Sequence, residues 1–168
     1  MEKLSENLLL RIDRHDYQPD REVVERTAVR GLIRKVDHYD LIQSKKYGEY
    51  KFPGGGMKEG ETQIETLVRE VLEETGLHIK PESINAAGYV EEIRKGLTGD
   101  ILNMKSYYYE CECEDQAGEQ MLDAYEAEYG YELKYVSLAD AIENNERIKD
   151  TEHIPWIYRD TQVMKKLI

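Results

Sequence analysis

The chain has 168 residues, with 23 Lys plus Arg against 35 Asp plus Glu, a formal net charge of −12. At 40% apolar and 35% charged residues it has the composition of one soluble folded domain, residues 1–168, long enough to bury a core without disulfide staples. So acidic a surface repels the phosphate backbone of DNA and RNA, which excludes a polynucleotide-binding role.

From the start, MEKLSENLLLRIDRHD carries acids and only the short apolar run Leu8, Leu9 and Leu10. That run is too short for a signal peptide, and no segment approaches the roughly 20 apolar residues of a membrane span. The expectation is a cytoplasmic protein with no membrane partner. RTAVRGLIRKVDHYDLI, residues 26–42, reads as two strands around a turn near Val36 to Asp40, and Glu49 to Phe52 as a third extended piece. Pro53 and then Gly54, Gly55 and Gly56 build a loop whose backbone conformations side chains would forbid.

After the loop, Ile64, Leu67, Val68, Val71 and Leu72 recur at the spacing of a helix with one buried stripe, predicting a helix over 62–75 closed by Gly76. Strands are expected near 85–93, 102–114 and 131–136. Ser137 and Asp140 resemble a capping box opening a helix to about Glu146, and a last helix is expected near 158–167. Strands interspersed with helices indicate an α/β (α+β) layered domain. Cys111 and Cys113 fall in the strand YYYECECE, where packing explains them better than a metal, and Tyr107, Tyr108 and Tyr109 are expected to pack the core.

The helix over 62–75 carries Glu70, Glu73 and Glu74, at i, i+3 and i+4, on one exposed or cleft-facing side. Like charges at these spacings cost a few tenths of a kcal/mol per pair. The acids also crowd the helix's C-terminal half, where the macrodipole favours cations. A bound cation resolves both conflicts, and hard oxygen ligands suit Mg²⁺ or Mn²⁺. The glycine loop permits close backbone approach to a ligand, and Arg69 is placed to orient a neighbouring carboxylate.

Gly55-x5-Glu61-x7-Arg69-Glu70-Val71-x-Glu73-Glu74-x-Gly76-Leu77 resembles the Nudix box, G-x5-E-x7-R-E-U-x-E-E-x-G-U with U aliphatic, at every defined position. The resemblance implies a Nudix fold, a mixed β-sheet sandwiched between helices. It also implies a divalent-metal-dependent pyrophosphohydrolase acting on a small nucleotide: a nucleoside diphosphate linked to another moiety. In that reading Glu70, Glu73 and Glu74 bind metal, a carbonyl at Gly54 or Gly55 assists, and Glu61 and Arg69 support the site.

The general base stays open between Glu73 and two glutamates of the acidic run 107–132, Glu126 and Glu128, which resemble in position the loop glutamates some family members use. A solvated acidic loop is the plainer account of that run. The competing function is a nucleotide-sensing domain that binds without hydrolysis; an isoprenoid diphosphate isomerase would need an active-site cysteine that no motif supplies. Trp156 reads as an anchor for the last helix, the four histidines share no ligand spacing, and the oligomeric state, a homodimer included, is open.

Overall fold

The computed structural model describes residues 7–168; the part of the leader reading that rests on residues 1–6 lies outside them. An eight-stranded mixed sheet runs in the order β1-β6-β7-β2-β3-β4, with β5 added to β2 and β8 to β3. Its strands are β1 (Leu8–Asp13), β2 (Val23–Lys35), β3 (His38–Ser44), β4 (Tyr50–Lys51), β5 (Gly54–Gly56), β6 (Asn85–Lys95), β7 (Ile101–Cys111) and β8 (Tyr131–Val136). The helices are α1 (Gln63–Thr75), α2 (Ala124–Tyr129), α3 (Leu138–Arg147) and α4 (Trp156–Leu167). Among the described residues no helix is long and apolar enough to cross a membrane.

Strand alternation gives the sheet two apolar faces, and each is covered by helices. Val29, Ile33, Tyr107 and Tyr109 pack beneath Leu67 and Val71 of α1, with the buried, unlinked Cys111 and Cys113 beside them. Leu32, Leu41, Val90 and Tyr108 face the other way, against Leu138 and Ala141 of α3 and Val163 and Met164 of α4. The three consecutive tyrosines are therefore all core, on alternate sides. This is the layered α+β architecture expected, a mixed sheet between helices.

The hairpin turn falls at Val36 and Asp37, and α1 begins after Thr62, whose side chain accepts from the Glu65 N–H at 3.1 Å. Gly76 closes α1 in the left-handed region, with φ 76°. Three expectations need correction. β1 and α2 are elements that the sequence pattern did not signal. α4 starts two residues earlier than expected, at Trp156, whose Nε1 donates to the buried Glu49 carboxylate at 2.9 Å. Ser137 accepts from the Asp140 N–H without the reciprocal bond, whereas Asp123 and Glu126 at α2 make the full capping box.

Candidate active site

β2 is the long central strand that sets the site's geometry. One stretch of it pairs with β5, Val29 opposite Gly55 and Arg30 opposite Gly54, so the glycine loop is stitched flat onto the sheet edge beside α1. The glycines there are required by space. A Cβ on Gly54 would stand 2.1 Å from the Val29 carbonyl oxygen at a φ of 153°, and one on Gly55 would lie 2.6 Å from the Glu70 carboxyl carbon. Gly55 thus lies against the Glu70 carboxylate, as close as main chain can come.

Arg69 organises the helix's first carboxylates. Its Nε and Nη2 donate to the two oxygens of Glu61 at 2.6 and 2.8 Å, a two-pronged pairing, while Nη1 donates to Glu70 at 2.9 Å and Glu73 at 3.2 Å. Nη2 also reaches the Gly56 carbonyl at 3.2 Å. Glu61 further accepts from the Lys58 N–H and the Thr66 hydroxyl, and the Arg69 bonds together with these hold its carboxyl down at about 2. Glu61 and Arg69 form a charged strut between loop and helix.

Of the two alternatives for the acidic face, exposed or cleft-facing, Glu74 takes the second: it is only 1% exposed. Burial pushes its carboxyl up to about 7, against the pull of the Lys51 ammonium 3.1 Å away. Oε1 accepts from the Gly54 N–H at 3.3 Å, while the buried Oε2 makes no hydrogen bond. Lys51, itself buried on β4, is a residue the sequence did not flag; its one signal is a cation just before the glycine loop.

The acidic run after β7 is also more than a solvated loop. Glu114, Asp115 and Glu119 face water, but the backbone of the run clasps the end of α1: Gly118 N–H donates to Gly76 O and Met121 N–H to Glu73 O, both at 2.7 Å. Gln120 Nε2 donates to Glu74 O at 2.6 Å. These donors take up terminal helix carbonyls that would otherwise lack partners. The clasp leads into α2, whose capping box uses Glu126 Oε1 on the Asp123 N–H and leaves Oε2 for the site.

Glu70, Glu74 and Glu126 consequently converge, each offering an oxygen within 4.8 Å of the others. Burial raises the Glu126 carboxyl as well. Glu73 stands outside this trio, partly open and bound to Arg69. Glu128, on the outer side of α2, is exposed and paired with Lys46 at 2.8 Å. Of the two loop glutamates, then, the fold brings Glu126 to the centre and not Glu128. Oxygen-only donors, one of them buried with no hydrogen bond and met only by the Lys51 ammonium, and a close glycine backbone fit a hard divalent cation such as Mg²⁺ or Mn²⁺.

A family model described as NUDIX domain matches residues 24–157. Over 56 residues the chain is 47% identical to the human 8-oxo-dGDP phosphatase NUDT18, and the match spans 32% of this chain and 17% of that protein. Over 56 residues it is 39% identical to the RNA pyrophosphohydrolase of Psychromonas ingrahamii, spanning 32% of this chain and 30% of that one. Less than a third of either relative is therefore matched. Among solved structures, a NUDIX hydrolase from Nitrosomonas europaea superposes with a TM-score of 0.58 at 19% identity, covering 83% of this chain and 90% of that one. A MutT NUDIX hydrolase from Burkholderia pseudomallei gives 0.53 at 18% identity, covering 69% and 85%. At these identities the likeness is one of fold.

Proposed function

The chain belongs to the Nudix hydrolase family, and from that premise we propose that it is a divalent-metal-dependent pyrophosphohydrolase of small nucleotides. The substrate would be a nucleoside diphosphate linked to another moiety: a nucleoside triphosphate, a nucleotide sugar or a dinucleotide polyphosphate. The observation that carries this reading is the convergence of Glu70, Glu74 and Glu126 beneath the glycine loop. Of the relatives named above, the 8-oxo-dGDP phosphatase supports a small-nucleotide substrate, and the RNA pyrophosphohydrolase supports the pyrophosphohydrolase chemistry alone.

Three carboxylates repel a polyphosphate, so the centre needs a cation before it can take one. Mg²⁺ or Mn²⁺, if held by Glu70, Glu74 and Glu126, would supply charge neutralisation for the phosphates and activation of water. The chain's own part is positional. The Arg69–Glu61 pair fixes Glu70 and Glu73 relative to the loop, Lys51 holds Glu74 in place, and the capping box holds Glu126. Glu73, more open than Glu70 or Glu74 and bonded on one oxygen only to Arg69, is the group to which we assign acceptance of a proton from attacking water.

The test is incubation of the protein with Mg²⁺ or Mn²⁺ and a nucleotide panel, with product identification. Hydrolysis in the wild type, lost with chelator and in Glu70→Gln and Glu73→Gln, is the expected result. Tight nucleotide binding without turnover across the panel would overturn it in favour of a sensing role.

A further inference from the structure

On the sheet face opposite α1, three arginines are buried together: Arg30 on β2, Arg94 on β6 and Arg159 on α4. Arg30 projects to this face because its neighbours Val29 and Gly31 line the side packed by α1. Arg30 Nη2 and Arg159 Nη1 meet the same Met104 sulfur, each at 3.8 Å. Glu92 links the other pair, with Oε1 3.2 Å from Arg159 Nη1 and Oε2 3.4 Å from Arg94 Nε. Asp160 accepts from Arg159 Nε at 3.0 Å. The cluster thus buries three cations against two carboxylates.

Its donors are under-used. A guanidinium offers five N–H donors. Among the described residues Arg30 donates only to the Met104 sulfur, a weak acceptor, and Arg94 has only its ion pair with Glu92. Arg30 Nε, Arg94 Nε, Arg159 Nη2 and the hydroxyl of Ser106 are all buried without a hydrogen-bond partner. Ser106 belongs to the same patch, lying along β7 between Met104 and Tyr108 and opposite Val90 and Ala28. Asp16 bears on Arg94, but it is exposed and already accepts from the Lys95 N–H at 2.8 Å. Burial and the neighbouring arginines press the Arg94 guanidinium below its ordinary range against the pull of Glu92 and Asp16, whereas Arg159, despite its burial, is held well above it by Asp160 and Glu92, so the unmet charge lies on the Arg94 side of the cluster. A buried charge without a partner is costly, so a structural role alone would call for balance.

We propose that Arg30, Arg94 and Arg159, with Ser106, form a binding site for a compact oxyanion, a phosphate or a carboxylate group, separate from the carboxylate centre. The arginine fork matches the paired oxygens of such a group, and the single excess positive charge is neutralised by one anion. The strand that carries Arg30 also carries the pairing to Gly54, so the site lies on the far side of the sheet from the catalytic loop, joined to it through β2.

Thermal unfolding of the protein in chelator tests this, because without a cation the carboxylate centre repels phosphate. With inorganic phosphate at about ten times its dissociation constant, against chloride at equal ionic strength, the melting temperature rises saturably by roughly 3–5 °C. The decisive quantity is that increment in Arg30→Gln, or in Arg94→Met should the first variant not fold. Loss of the increment supports the site; an increment equal to the wild type's overturns it. A second arm identifies the source of the anion. If phosphate competes with the nucleotide in the wild type and not in Arg30→Gln, the anion is part of the substrate. If it acts without competing, the anion is a separate ligand. The unfolding experiment involves no turnover, so its failure and a failure of the hydrolase reading are distinguishable.

Discussion

At the scale of single residues, the centre depends on which glutamate the fold delivers. Glu126 lies with Glu70 and Glu74, while Glu128 is two positions on and faces water beside Lys46. Glu126→Gln should therefore weaken Mn²⁺ binding by roughly tenfold or more, and Glu128→Gln should leave it unchanged, as read by titration calorimetry. Arg69→Lys keeps the charge but not the fork that spans Glu61, Glu70 and Glu73, so kcat should fall by about 10–100-fold with the fold intact by circular dichroism. The residues of α1 and its loop were legible because their spacing along one helix fixes their relative placement. Lys51 was not, and Glu126 was named only alongside Glu128 through family resemblance, since each reaches the centre from another strand or helix and no spacing encodes that approach.

At the scale of elements, the best-read piece is α1, where apolar periodicity, Thr62 and Gly76 agree on both ends. α2 escaped notice because six residues are too few for periodicity to show, although Asp123 and Glu126 stand at capping-box spacing. Asp123→Ala removes that cap and should lower stability by about 0.5–2 kcal/mol in denaturant unfolding. It should also weaken metal binding, because Glu126 loses its anchor. The β2–β3 hairpin has the opposite defect: Val36 occupies the left-handed region at φ 58°, 85% exposed. Val36→Gly removes the strain of a β-branched side chain there and should raise stability by about 1 kcal/mol.

At the scale of the whole molecule, layers were legible and topology was not. Two apolar stripes on alternating strands announce a sheet covered on both faces, but nothing in the sequence says that β2 pairs in parallel with β7. What joins the layers is polar. Asp160, fully buried on α4, accepts from Phe52 N–H at 3.0 Å, Tyr108 Oη at 2.7 Å and Arg159 Nε at 3.0 Å, tying β4's exit, β7 and α4 together. Despite its burial, Arg159 and Arg30 with the Tyr108 bond leave its carboxyl below the ordinary 3.8. A lowered folded-state value means that Asp160 stabilises the protein above the unfolded value and that this contribution is lost as pH falls through the folded one. Asp160→Ala should cost about 3–5 kcal/mol at neutral pH. The gap in melting temperature between wild type and Asp160→Asn should narrow on acidification below about pH 4.

The clasp across the end of α1 is made of main-chain amides and one glutamine, and Gly118 sits so close that a Cβ on Gly76 would fall 2.2 Å from its carbonyl oxygen. Such a seam is blind to the acidic side chains around it and sensitive only to how many residues cross it. Sequence drift at Glu114, Asp115 and Glu119 is therefore tolerated where a change of length is not. Exchanging all three for Gln and Asn should shift stability by no more than about 0.5 kcal/mol. Deleting Glu119 alone would put the 118 and 121 amides out of step with their carbonyls and draw Glu126 away from its partners, a loss visible in Mn²⁺ affinity before it is visible in the melting curve.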